Sequence, residues 1–123
     1  MTVEELLLTA RSKLTRLTPY EAREAVRGGA VIVDIRPDFQ RHPDGAVPRA
    51  LVVPRNVLEW RCDPASESRD PAVSDPERRI IVMCDEGYQS SLAAATLVEL
   101  GLPLATDLAG GFQAWRRAGL AVE

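Results

Sequence analysis

The residues best suited to chemistry lie in one stretch, Cys84-Asp85-Glu86-Gly87-Tyr88-Gln89-Ser90-Ser91. It follows an apolar, β-branched run, Ile80-Ile81-Val82-Met83, and precedes a helix-forming run, Leu92 to Leu100. A cysteine that ends a strand and faces a helix N-terminus across a short loop is placed to become a nucleophile. Backbone N–H groups of such a loop can point at the sulfur, and the helix dipole adds partial positive charge there. Both favour the thiolate, which is the reactive form. Gly87 lets the backbone turn tightly, at positive φ. Ser90 and Ser91 are placed to cap the helix and to offer hydroxyl donors. Asp85 and Glu86 work the other way: two acids beside the sulfur oppose its ionisation and repel an incoming dianion.

Other reactive residue types are sparse. Cys62 lies in a polar stretch; it is read as a bystander thiol rather than one that resolves a Cys84 intermediate. His42, the only histidine, sits between Arg41 and Pro43 and is read as a solvated loop residue. Two cysteines and one histidine, unclustered, make no metal site. Asp34 and Arg36 are expected to pair with each other or with backbone and so hold loops. Phe112 and Trp115 fall on a helix face and are read as core, while Trp60 either walls the pocket or packs beneath the loop.

The elements that must position these groups follow from local signals. Thr2-x-x-Glu5 is a capping box, and Val3, Leu6, Leu7, Ala10 and Leu14 follow at helical spacing. Thr18-Pro19-Tyr20-Glu21 repeats the start signal, and Gly28-Gly29 stops that helix. Ala30 to Asp34 is a short apolar strand of the kind buried on both faces. Arg36 to Pro48, with Pro37, Pro43 and Gly45, reads as a loop. Leu51 to Val53 is a second strand, and Asn56 is expected to cap a short helix through Arg61. Cys62 to Glu77 is polar and proline-rich, the segment most prone to move. Ile80 to Met83 is a third strand, followed by a helix ending at Gly101. Leu104 to Leu108 is a fourth strand, expected to be partly exposed, and Gly110-Gly111 opens a last helix, Phe112 to Ala118. Strands alternating with helices predict an α/β fold, a mainly parallel sheet covered by helices on both faces, with an extra N-terminal helix. Ligands of such sheets bind beyond the carboxyl ends of the strands, where Cys84 and Asp34 both lie.

The bulk numbers set the class. The 123 residues suit one domain, with 46% hydrophobic and 27% charged residues as in an ordinary globular chain. The net charge of −3, with no basic cluster longer than Arg78-Arg79 or Arg116-Arg117, argues against nucleic acid as a partner. No apolar run approaches the ~20 residues of a membrane helix, and Glu4 and Glu5 stand where a signal peptide carries base. A cytoplasmic protein without a membrane partner is expected.

With these residues in view, the chain resembles the rhodanese-like domain family of single-domain sulfurtransferases over roughly residues 15 to 122. Val31-Ile32-Val33-Asp34-Ile35-Arg36 is similar to the family's strand with its Asp-x-Arg ending. Gly45-Ala46-Val47-Pro48-Arg49-Ala50 resembles Gly-His-Ile-Pro-Gly-Ala, with Ala46 at the His and Arg49 at the second Gly. Cys84 to Ser90 resembles the active loop C-x-x-G-x-R-S/T, with Gln89 where the family often has Arg. Gly110-Gly111-Phe112-x-Ala114-Trp115, then Gly119, is similar to its closing signature. The resemblance implies residues 1-14 as a helical extension and 15-123 as a single rhodanese-like domain with a central sheet of about five strands. It implies a sulfurtransferase that carries sulfane sulfur on Cys84 as a persulfide, without cofactor or metal. Asp85, Glu86, Gly87, Tyr88, Gln89 and Ser90 would then surround the substrate. A small-molecule sulfane donor, a thiol acceptor or a protein persulfide carrier would be the partner. Gln89 keeps an N–H₂ donor but lacks the charge and fork of Arg, so weak thiosulfate activity is expected and a neutral, cationic or protein-borne donor fits better. The alternative is a non-catalytic rhodanese-like binding or sulfur-relay module. A cysteine phosphatase or arsenate reductase needs C-x5-R, and Ser90 stands at that Arg.

Overall fold

The two strongest apolar runs form the centre of the sheet. The structure, a computed structural model, describes all residues from 1 to 123. Its strands are β1 Val31–Asp34, β2 Leu51–Val52, β3 Ile80–Met83 and β4 Thr106–Asp107, all parallel, in the order β2-β1-β3-β4. Val31 pairs with Ile80 and Asp34 with Met83. Four strands are therefore present where about five were expected. The further place is held by a single parallel bridge, Leu17 to Leu108. That pairing cannot lengthen, because Thr18 is already the N-cap of helix α2, Pro19–Arg27.

Alternation along β1 and β3 separates two cores. Val31, Val33, Ile35, Ile80, Val82 and Cys84 pack on one face with Ala93, Ala94 and Leu97 of helix α5, Gln89–Glu99. Ile32, Ile81 and Met83 pack on the other with Ala22 of α2 and with Phe112 and Trp115 of helix α6, Gly111–Arg117. Helix α1, Val3–Arg11, lies along α5 and buries Ala10. Thr2 caps α1 through the Glu5 N–H, and Thr18 and Glu21 form the reciprocal capping box of α2.

Several expectations are corrected. The stretch after Arg36 is not all loop: Asp38–Asp44 forms helix α3. None of its residues is buried, so it carries no apolar period to read. Asn56 caps nothing; Arg55–Val57 is a 3-10 turn leading into helix α4, Leu58–Cys62. Cys62 is wholly buried at the end of α4 rather than in a polar loop. The segment after it is a succession of turns in which Asp63, Asp70 and Asp75 each accept the N–H two residues on. Strand β4 is shorter than expected and buried, because the Leu17 segment covers its outer edge.

Candidate active site

Cys84 is the first residue after β3 and continues the face of the sheet that meets α5. Its Sγ accepts the N–H of Gly87 at 3.2 Å and of Ser90 at 3.3 Å. The Ser90 N–H is one of the free donors at the start of α5, so the sulfur serves as the acceptor that an N-cap side chain would otherwise supply. Tyr88, at the N-cap, makes no side-chain cap.

The loop is turned with its carbonyls outward. The Cys84 carbonyl accepts from Phe112 N–H at 2.9 Å and the Asp85 carbonyl from Gln113 N–H at 3.1 Å, both in the first turn of α6. The Gly87 carbonyl accepts from Arg11 and Arg16. In a trans peptide N–H and C=O point in opposite directions, so fixing the carbonyls outward directs the amides of Glu86 and Tyr88 the other way. The Glu86, Tyr88 and Gln89 amides have no acceptor within the chain. Two glycines make this possible. Gly87 has φ +89°, and a Cβ there would lie 2.7 Å from Gly110 N. A Cβ on Gly111, at φ +62°, would lie 2.5 Å from the Cys84 carbonyl oxygen.

Cys84, 7% exposed, forms the floor of a cleft of about 360 Å³ beyond the carboxyl ends of β1 and β3. Asp85, Glu86, Tyr88 and Gln89 line one side, and Arg36, Gln40 and Arg55 the other. Gly87 and Ser90 act through their amides rather than as walls. The Ser90 and Ser91 hydroxyls were expected to face the sulfur; both instead donate to Asp107 Oδ2, at 2.7 and 2.8 Å. Asp107 ends β4, is fully buried and accepts Arg16 as well, at 2.9 and 3.2 Å. Asp85 Oδ1 accepts Gln113 Nε2 at 2.9 Å, whereas Glu86 is exposed and makes no hydrogen bond.

Asp34 and Arg36 pair as expected, at 2.8 Å and fully buried. Arg36 also donates to the Gly45 carbonyl, and its guanidinium stacks 4.0 Å from the Phe112 ring. Its Nη1 has no partner, and the residue borders the cleft. Arg55 is held by Glu59 at 2.8 Å. Arg55, Asp107, Arg11 and Arg16 were not singled out from sequence. Strand-end position could have found Asp107, the last residue of β4, and Arg55, three residues beyond β2, much as it found Cys84 after β3. Nothing local marked Arg11 or Arg16. Trp60 is exposed and does not border the cleft, and His42 is exposed on α3. No group of three or more His, Cys, Asp or Glu side chains is arranged to hold a metal ion. No helix is long and apolar enough to cross a membrane.

The profile of the Rhodanese-like domain matches residues 18–118. The chain belongs to the rhodanese-like domain family. Among its relatives in that family is the thiosulfate sulfurtransferase GlpE of Haemophilus influenzae, 31% identical over 110 residues, 87% of this chain and 92% of the relative. GlpE of Actinobacillus pleuropneumoniae is 32% identical over 110 residues, 89% of this chain and 93% of its own. A solved Rhodopseudomonas palustris protein of unknown function, described as a possible tyrosine phosphatase, superposes over the whole chain and 95% of its own, with a TM-score of 0.91 and 32% identity. The human single-domain sulfurtransferase TSTD1 shares the rhodanese-like fold, with a TM-score of 0.69 at 22% identity over 83% of this chain and 95% of its own.

Proposed function

We propose that the chain is a sulfurtransferase that carries sulfane sulfur on Cys84. The observation behind this reading is the Cys84 Sγ at the floor of a cleft, held by two backbone N–H groups with further loop amides beside it that lack acceptors. A persulfide is an anion longer than a thiolate by one atom, and it needs donors beyond those that hold the inner sulfur. The Cys84 thiolate attacks the outer sulfur of the donor. The new S–S bond forms as the donor's own bond to that sulfur breaks, and the leaving group departs with the electron pair. For thiosulfate that group is sulfite; for a persulfide it is a thiolate. An acceptor thiolate or cyanide then attacks the outer sulfur, and the Cys84 thiolate leaves. No oxidant or reductant enters either half.

The charges around the cleft favour weak use of thiosulfate. Arg36 and Arg55 are each offset by their own carboxylate, Asp34 and Glu59, which leaves Glu86 uncompensated at the rim. A neutral or protein-borne donor meets less repulsion there. A phosphatase reading, suggested by the R. palustris protein, lacks its anion clamp: Ser90 occupies the Arg position, fully buried, with its hydroxyl turned to Asp107. A binding or relay module is the second reading, favoured by the exposed Tyr88 on the cleft.

The test is mass spectrometry after exposure to thiosulfate, glutathione persulfide and a persulfidated protein. The peptide bearing Cys84 is expected to gain the mass of one sulfur atom, and Cys84→Ser is expected to abolish the gain. Cys62→Ser is expected to retain it. An unmodified Cys84 with every donor would select the binding module.

A further inference from the structure

We infer that Arg11 and Arg16, on and just after the N-terminal helix, are positioning residues that hold the Cys84 loop in its sulfur-binding conformation; this rests on the sulfurtransferase reading. Both lie outside residues 18–118, where the rhodanese-like profile matches.

The contacts converge on one atom. Arg11 Nη2 donates to the Gly87 carbonyl oxygen at 2.9 Å and Arg16 Nη2 to the same oxygen at 3.0 Å. Arg11 Nε also donates to Ser91 Oγ at 3.1 Å. Gly87 precedes the N-cap of α5, so its carbonyl lies outside the helix's own hydrogen-bond ladder. The Ser91 N–H goes to the Tyr88 carbonyl, at 3.1 Å, and beside a longer contact from Ser91 Oγ at 3.4 Å the two arginines make the short hydrogen bonds to the Gly87 carbonyl. Its orientation matters because the same peptide carries the Tyr88 N–H on the opposite side. The Gly87 N–H, one peptide earlier, already donates to Sγ. Drawing the Gly87 oxygen back toward the arginines therefore presents the Tyr88 donor to the front of the loop.

Charge supports the same role. Arg16 is neutralised by the buried Asp107 carboxylate, which also takes the Ser90 and Ser91 hydroxyls. Arg11 forms no ion pair and stacks 5.7 Å from the Tyr88 ring. It thus places a net cation behind a loop whose own Gln89 supplies none. Hydrogen bonds with a charged donor are about twice as strong as neutral ones, and two on one carbonyl hold it against reversal. The Lys13–Glu99 pair, at 2.7 Å on the same helix–helix seam, touches no loop atom and serves as a control.

The experiment compares Arg11→Ala, Arg11→Lys, Arg16→Ala and Lys13→Ala. It measures two things: the pH profile of Cys84 alkylation by iodoacetamide, and the rate of persulfide loading from thiosulfate. Arg11→Ala is expected to slow loading about tenfold and move the alkylation midpoint to higher pH. Arg11→Lys is expected to restore most of the midpoint by returning the charge, and Lys13→Ala to leave both unchanged. A folded Arg11→Ala protein with wild-type midpoint and loading would overturn the inference. So would the same losses in Lys13→Ala, which would reduce Arg11 to a stitch between helices. Should Arg16→Ala fail to fold around Asp107, Arg11→Ala decides alone. Alkylation needs no sulfur donor, so a chain that loads from none fails as a sulfurtransferase while the role of Arg11 is still read from the midpoint.

Discussion

Asp85 and Glu86 are neighbours with different surroundings. Asp85 is turned toward α6, where Gln113 donates to it and to Asp44, while Glu86 stands exposed and unpartnered on the cleft. One charge at about 4 Å in a water-like medium repels a charge on a dianion by ~1 kcal/mol. Glu86→Gln is therefore expected to lower the KM for thiosulfate about fivefold, and Asp85→Asn to change it less. Steady-state kinetics on both decides, with equal effects showing that partnering does not matter. Arg36 illustrates the same lesson. Paired with Asp34, it secures the Gly45 carbonyl, yet it also borders the cleft.

At the scale of elements, the turn between α3 and β2 carries strain that the sequence hints at. Arg49, where the family has glycine, has φ +70°, the one non-glycine residue in the left-handed region. A Cβ there costs roughly 1 kcal/mol. Arg49→Gly is expected to raise Tm by about 4 °C without altering sulfur loading, since Arg49 does not border the active cleft. A lower Tm in calorimetry would mean that its side chain contributes more than its backbone costs. The first turn of α6 matters for a different reason. It binds the Cys84 and Asp85 carbonyls, so a helix distant in sequence sets which way the Cys84 loop faces.

Across the whole molecule, the two cysteines are distinguished by their surroundings. Cys84 opens on a cleft, whereas Cys62 is enclosed in the core. Burial, then the charges of Asp70 and Glu59, push the Cys62 thiol up to about 12. Its folded-state value lies above the unfolded one of ~8.5, so the unfolded chain loses this proton first. The stability it contributes is whole below the unfolded value and is lost as pH rises through the folded one. Urea midpoints near neutrality and at about pH 10 are expected to fall further in the wild type than in Cys62→Ala. Equal falls would show that Cys62 is not the group responsible.

Much of this protein was legible because the deciding signals are local. A continuous β-branched run pairs as a buried strand wherever it lies, so β1 and β3 stood out, and with them Cys84 at a strand's carboxyl end. Capping boxes and the Gly87 turn are likewise encoded within a few residues. Helix α3, which buries nothing, left no pattern to read. The groups that contact the Cys84 loop from elsewhere in the chain were placed by packing. Arg11 and Arg16 reach Gly87 from 76 and 71 residues away, and Asp107 meets Ser90 across 17. Which way a carbonyl or guanidinium points depends on how helices dock on the sheet, and no spacing along the chain carries that direction. Tertiary structure thus turned the Ser90 hydroxyl from the sulfur to Asp107 and turned Asp85 toward α6.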